Sequence, residues 1–121
     1  MAIQKIFVVG AGLMGSGIAQ TAITNGYDVT LNDQRQEALD RALKGIQHSL
    51  NREVEKGRMT EEDRDKALTR LALDTTMESA RNADLVIEAI YENLEAKQAV
   101  FSALEEICPP ETIFASNTSS I

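Results

Sequence analysis

Ile6-Phe7-Val8-Val9-Gly10-Ala11-Gly12-Leu13-Met14-Gly15-Ser16-Gly17-Ile18-Ala19 passes from a continuous apolar run, through a glycine-rich turn, into the start of a helix. Each glycine has its own reason to be there. Gly10 permits the tight bend, Gly12 removes a side chain where a pyrophosphate must approach the backbone, and Gly15 lets the helix lie close to the strand. The helix that follows offers backbone N–H groups and the positive end of its dipole to an anion. A bare G-x-G-x-x-G is a weak signal, because glycine turns are common punctuation. Here a strand precedes it, a helix follows it, and Asp33 lies 23 residues beyond Gly10 at the end of a second strand-like run, Asp28-Val29-Thr30-Leu31-Asn32. A carboxylate there accepts hydrogen bonds from both hydroxyls of an adenosine ribose and repels a 2′-phosphate, which favours NAD over NADP. Arg35, two residues further on, keeps NADP open, since a guanidinium could shelter that phosphate.

With 121 residues the chain has the length of one domain and is too short for a complete two-domain oxidoreductase. Its net charge of −7, with both signs interspersed, argues against nucleic acid or an anionic membrane as the main partner. The single cysteine, Cys108, can form no internal disulfide, and the first strand starts almost at once, so a reducing cytoplasm is the expected setting. No apolar run approaches membrane-spanning length.

Asn25-Gly26 supplies a left-handed helix stop, and a second strand begins at Tyr27, completing a βαβ unit with parallel neighbours. Residues 36–56 form a long helix with Leu39, Leu43, Ile46, Leu50 and Val54 on its core side. Gly57 ends it, and Thr60-Glu61-Glu62-Asp63 opens a shorter helix in the manner of a capping box. The two make a helical hairpin, about 36–70, inserted between the second and third strands and longer than a plain crossover requires. Residues 71–75 read as strand three, 77–81 as a short helix, 84–89 as a buried strand four flanked by acids, and 112–115 as strand five. An amphipathic helix carrying Leu94, Lys97, Phe101, Leu104 and Ile107 joins the last two. The expected fold is a Rossmann-like α/β domain with parallel strands in the order 3-2-1-4-5, incomplete at its C-terminus.

In such a sheet, ligands bind beyond the carboxyl ends of the strands. Those ends carry the glycine turn, Asp33, residues 90–93 and the polar run Ser116-Asn117-Thr118-Ser119-Ser120. A second stripe on the long helix, Gly45, Ser49, Arg52 and Lys56, admits two readings. Two cations near a helix end suit its negative dipole, which is the plainer explanation; a landing site for phosphates is the other. His48, the only histidine, faces away from the apolar side, and Glu92 sits better for chemistry, although loop carboxylates are more often surface groups. No convincing proton carrier stands out, no His and Cys cluster suggests a metal, and no G-x-S-x-G suggests a hydrolase.

The glycine turn from Val9 to Ala19, Asn32-Asp33, Val86-Ile87-Glu88-Ala89-Ile90-Tyr91-Glu92-Asn93, and Phe114-Ala115-Ser116-Asn117-Thr118-Ser119-Ser120 together resemble the N-terminal NAD-binding domain of the 3-hydroxyacyl-CoA dehydrogenases. Order and spacing match over essentially the whole chain, and Lys56-Gly57-Arg58-Met59-Thr60-Glu61-Glu62-Asp63 is similar to the short bacterial 3-hydroxybutyryl-CoA members. The resemblance implies NAD-dependent interconversion of 3-hydroxyacyl-CoA and 3-ketoacyl-CoA. It implies NAD contacts at Gly10, Gly12, Leu13, Met14, Gly15, Asp33, Glu92, Lys97, Asn117 and Ser119, with Ser119 also holding the substrate's 3-oxygen. Ser49 and Lys56 match positions that contact coenzyme A, and Arg52 lies between them. That turns the balance toward phosphate binding and makes the hairpin a coenzyme A arm. The family's catalytic histidine, in a segment of the type H-F-F-N-P, and its helical C-terminal domain, which completes the acyl pocket and a homodimer, lie beyond this sequence. The chain is therefore expected to be a fragment that binds cofactor without turning over substrate. Two other classes stay open: a non-catalytic NAD-binding module, and a hydroxy-acid dehydrogenase that does not use coenzyme A.

Overall fold

The computed structural model describes residues 2–90 and 94–116. Five parallel strands, β1 (Lys5–Val9), β2 (Asp28–Asn32), β3 (Leu71–Asp74), β4 (Leu85–Glu88) and β5 (Ile113–Ser116), lie in the order β3-β2-β1-β4-β5. This is the expected order. The chain winds outward from β1 in both directions, so the crevice between β1 and β4 is the switch point where this architecture takes its ligands.

Side chains alternate along a strand, and two cores follow from that alternation. Ile6 and Val8 of β1, with Val29 and Leu31 of β2, face one way, where helix α1 (Leu13–Thr24), helix α2 (Gln36–Glu55) and helix α3 (Glu61–Thr69) cover them with Ala19, Ile23, Leu39, Ile46, Leu50 and Ala67. Phe7, Val9 and Val86 face the other way, against Ala80 and against Leu104 of helix α4 (Leu94–Ile107). The Phe101 ring meets Phe114 edge to face, with centroids 6.0 Å apart, which pins α4 to β5.

Local chemistry explains the boundaries. α1 stops at Asn25-Gly26, where Gly26 takes φ +94°, and α2 stops before Gly57 at φ +74°. Both are conformations that glycine adopts without strain. α3 starts where the Thr60 hydroxyl accepts the Asp63 N–H at 3.0 Å, with Glu61, Glu62 and Asp63 in its first turn.

Several details differ from the sequence expectation, among them the bounds of β4 and β5, expected at 84–89 and 112–115. Leu43 and Val54 are only half-buried, because Ala38 and Ala42 complete the buried face of α2 and tilt it toward its N-terminal half. The segment expected as a short helix at 77–81 is a 3-10 helix, Glu78–Asn82. Asp74 governs that turn, accepting from the Thr76 N–H, the Thr76 hydroxyl and the Ser79 hydroxyl, bonds that compete with a regular helix. β2 begins at Asp28, one residue after Tyr27. No helix among the described residues is long and apolar enough to cross a membrane.

Candidate cofactor site

β1 ends at Val9, and the chain turns through Gly10 at φ +104°. A β-carbon on Gly10 would lie 2.7 Å from the Ala89 carbonyl oxygen, so both the backbone angle and the neighbour demand glycine. Gly10 N–H donates to Asn32 O at 2.8 Å, fastening the turn to the end of β2. Gly15 is held closer still: its β-carbon would fall 1.7 Å from Gly10 O and 3.7 Å from the Ala89 β-carbon. The three residues 10, 15 and 89 thus stack backbone on backbone beneath the crevice.

Gly12 is different. It is the N-cap residue of α1, it is exposed, and a β-carbon there would meet nothing within 4 Å among the described residues. Open space above an N-cap glycine fits a position reserved for something that is not protein. Among the described residues no side chain caps α1 and no acid occupies its first turn, whereas Glu37 sits in the first turn of α2 and three acids in that of α3. Within its own first turn α1 thus carries no acid to offset its positive end, and helix starts of this kind hold phosphates. Leu13 stands 93% exposed at the crest of the turn.

Asp33 follows β2 at the same edge. Its Oδ2 accepts the Ala11 N–H at 3.0 Å and its Oδ1 the Arg35 N–H at 3.0 Å, so the carboxylate also braces the glycine turn. Arg35 Nε lies 3.8 Å from Oδ1 with its side chain largely in solvent. Asn32, buried, donates to Asp74 O and Thr76 O and ties the ends of β2 and β3 together.

On the opposite side of the switch point, the end of β4 holds a group that sequence reading missed as functional. Glu88, taken there as an acid flanking an apolar run, is fully buried. It accepts the Ile90 N–H and the Ser116 hydroxyl, the latter at 2.6 Å, and Lys97 Nζ of α4 lies 3.7 Å from Oε1. The signal that could have found it is parity: Glu88 is two residues beyond the buried Val86, on the same face of β4. Glu92, Asn117 and Ser119 lie outside the described residues, so of the nicotinamide-side candidates the structure places Lys97.

A cleft of about 440 Å³ runs from the glycine turn along α1 and α2, lined by Gly12, Leu13, Gly17, Arg41 and Gly45 among others. It joins the turn to the first member of the α2 stripe. The next member, Ser49, accepts a hydrogen bond from Gln20 Nε2 of α1 at 2.8 Å, which fixes its hydroxyl relative to the turn. Arg52 in the last turn of α2 and Lys56, its C-cap residue, are exposed, and His48 is exposed as expected. Cys108 is half-buried; burial pushes its thiol up, away from thiolate reactivity. No cluster of metal-ligating side chains occurs among the described residues.

An open parallel sheet with a glycine turn leading from β1 into a helix and an acidic residue after β2 defines a dinucleotide-binding domain of the Rossmann type. The particular family follows from comparison. Residues 5–121 match the model of the 3-hydroxyacyl-CoA dehydrogenase NAD binding domain, and the chain belongs to that family. It is 49% identical over 121 residues to a probable 3-hydroxybutyryl-CoA dehydrogenase of Bacillus subtilis, covering 100% of this chain and 42% of that protein. It is 46% identical over 119 residues to the 3-hydroxyadipyl-CoA dehydrogenase of Escherichia coli, covering 98% of this chain and 25% of that protein. A crystal structure of a 3-hydroxybutyryl-CoA dehydrogenase from Escherichia coli superposes with a TM-score of 0.96 at 45% identity, over 100% of this chain and 26% of that one. The chain thus spans less than half the length of these relatives.

Proposed function

We propose that this chain is the NAD-binding part of an enzyme that interconverts (3S)-3-hydroxyacyl-CoA, of short acyl chain, and the corresponding 3-ketoacyl-CoA. The observation that carries the reading is the start of α1, where Gly12 makes no side-chain cap and a β-carbon on it would meet nothing within 4 Å among the described residues, within a chain of this family. Gly10, Gly12, Leu13, Met14 and Gly15 hold the pyrophosphate, and Asp33 the adenosine ribose. Lys97, with Glu92, Asn117 and Ser119, serves the nicotinamide side, where Ser119 also orients the substrate's 3-oxygen. Bound NAD supplies the acceptor for the hydride that leaves C3. Ser49, Arg52 and Lys56 receive coenzyme A, and residues 36–70 act as its arm; cations on an acidic protein suit an anionic carrier.

His48, the one histidine of the chain, is exposed on α2; on the family reading the proton carrier is a histidine that has no counterpart among these residues. The same holds for the rest of the acyl pocket and for the interface of a homodimeric, cytoplasmic enzyme. Two of the relatives are 3-hydroxybutyryl-CoA dehydrogenases by name, and the similarity supports a short acyl chain here.

Fluorescence titration with NADH, followed by acetoacetyl-CoA, tests the assignment. The chain binds NADH, coenzyme A affinity falls on Lys56→Glu, and nicotinamide absorbance shows no turnover at the rate of a complete dehydrogenase. Unchanged coenzyme A affinity in Lys56→Glu refutes the arm, and absence of NADH binding refutes the assignment as a whole.

A further inference from the structure

The crevice has two sides. Asp33 marks the ribose side beyond β2, the glycine turn sits at the switch point, and a dinucleotide laid across it extends its other half over the ends of β4 and β5. Those two ends are joined by Glu88. It lies opposite Val9 on one neighbouring strand and opposite Ser116 on the other, wholly out of solvent. Among the described residues its carboxylate accepts two hydrogen bonds, from the backbone after β4 and from the last residue of β5, and pairs with Lys97 of α4, whose side chain is 17% exposed.

A buried carboxylate with these partners is costly to maintain and is weak evidence for stability alone. A neutral amide would still accept the Ile90 N–H through its oxygen and could donate through its nitrogen to Ser116 Oγ; it would not keep the ion pair with Lys97. What the ion pair adds is charge balance: an ammonium at this edge is cancelled from below by a carboxylate that solvent cannot screen.

Resting on the NAD-binding assignment above, we propose that Glu88 is a positioning residue that holds Lys97 and neutralises its charge, so that the nicotinamide side of the site does not discriminate against the oxidised cofactor. The oxidised ring is a cation and the reduced ring is neutral. An uncompensated Lys97 therefore repels one and is indifferent to the other. An uncompensated Glu88 does the reverse. A unit charge acting over on the order of 10 Å at an effective dielectric of about 20 to 40 changes a binding constant roughly four- to fifteenfold.

The experiment is the ratio Kd(NAD+)/Kd(NADH), measured on the whole chain by titration calorimetry. Glu88→Gln, which keeps groups able to bond Ile90 N–H and the Ser116 hydroxyl, raises the ratio by roughly four- to fifteenfold. Lys97→Met lowers it by a similar factor, and the double variant returns within about twofold of the parent, as compensating charges require. Glu111→Gln makes the same charge change on an exposed residue before β5, at the far end of the sheet, and leaves the ratio unchanged. A purely structural Glu88 weakens both cofactor forms together and moves the ratio in neither variant; that result overturns the proposal, as does a shift of the same sign in both. If Glu88→Gln does not fold by circular dichroism, Lys97→Met against Lys97→Arg decides: the ratio must fall in the first and hold in the second. A parent chain that binds neither form refutes the NAD assignment itself, and the proposal falls with it.

Discussion

Two glycines of α1, two residues apart, respond oppositely to the same substitution. In Gly15→Ala the new methyl lands 1.7 Å from Gly10 O and 2.8 Å from Gly10 C. Neither is a flexible side chain, and Gly10 is itself backed by the Ala89 carbonyl, so relief requires α1 to move off the sheet. Overpacking of this kind costs typically 1–3 kcal/mol, and a backbone collision belongs at or beyond the upper end, about 3 kcal/mol. For a chain of this length about 1 kcal/mol corresponds to roughly 4 °C, so the midpoint falls by about 12 °C. In Gly17→Ala the methyl meets nothing within 4 Å among the described residues, on an exposed helix position. Higher helix propensity then stabilises by about 0.5–1 kcal/mol, raising the midpoint by roughly 2 to 4 °C. Paired thermal and urea unfolding of the two variants reads both signs. A Gly15→Ala protein within 1 kcal/mol of the parent, or a Gly17→Ala protein as damaged as Gly15→Ala, refutes the packing described for the turn.

Asp33→Ala removes the acceptor of the Ala11 N–H as well as the ribose ligand; NAD affinity falls roughly ten- to hundredfold while the penalty against NADP shrinks, read by parallel titrations of the two cofactors. Thr60→Ala deletes the hydroxyl that caps α3 and costs about 1 kcal/mol, or roughly 4 °C, in a melting experiment. Asp84 accepts the Gln4 and Lys5 N–H groups, and these bonds, the Gln4 bond foremost, hold its carboxyl below the ordinary value of 3.8. Its contribution is therefore complete above that value and is lost as pH falls through the lower folded value. The stability difference between parent and Asp84→Asn narrows over that acidic window, and a difference that widens as pH falls contradicts the assignment.

The topology was legible because it rests on local signals. Glycine after an apolar run, Asn25-Gly26, Gly57 and the Thr60 cap each specify a boundary within a few residues, and right-handed crossovers then leave few arrangements. Asp33 was legible by its distance from the turn. Strand parity could have put Glu88 on the buried face, but its partners were not legible, since Ser116 and Lys97 are brought in from 28 and nine residues away by strand pairing and by α4. The Gln20–Ser49 bond was hidden for the same reason, as it joins two helices that only the sheet holds side by side. At 78–82, local hydroxyl and carboxylate bonds around Asp74 won over a short helical pattern.

Residues 10, 15 and 89 form a floor packed closely enough that a β-carbon at Gly10 or Gly15 would collide with backbone. Because backbone atoms rather than rotatable side chains set its shape, an arriving dinucleotide finds the phosphate cradle already assembled and loses no time waiting for it to open. Association at this edge will then be governed by diffusion and by the repulsion between an anionic cofactor and a chain of net charge −7, and will quicken as added salt screens that repulsion.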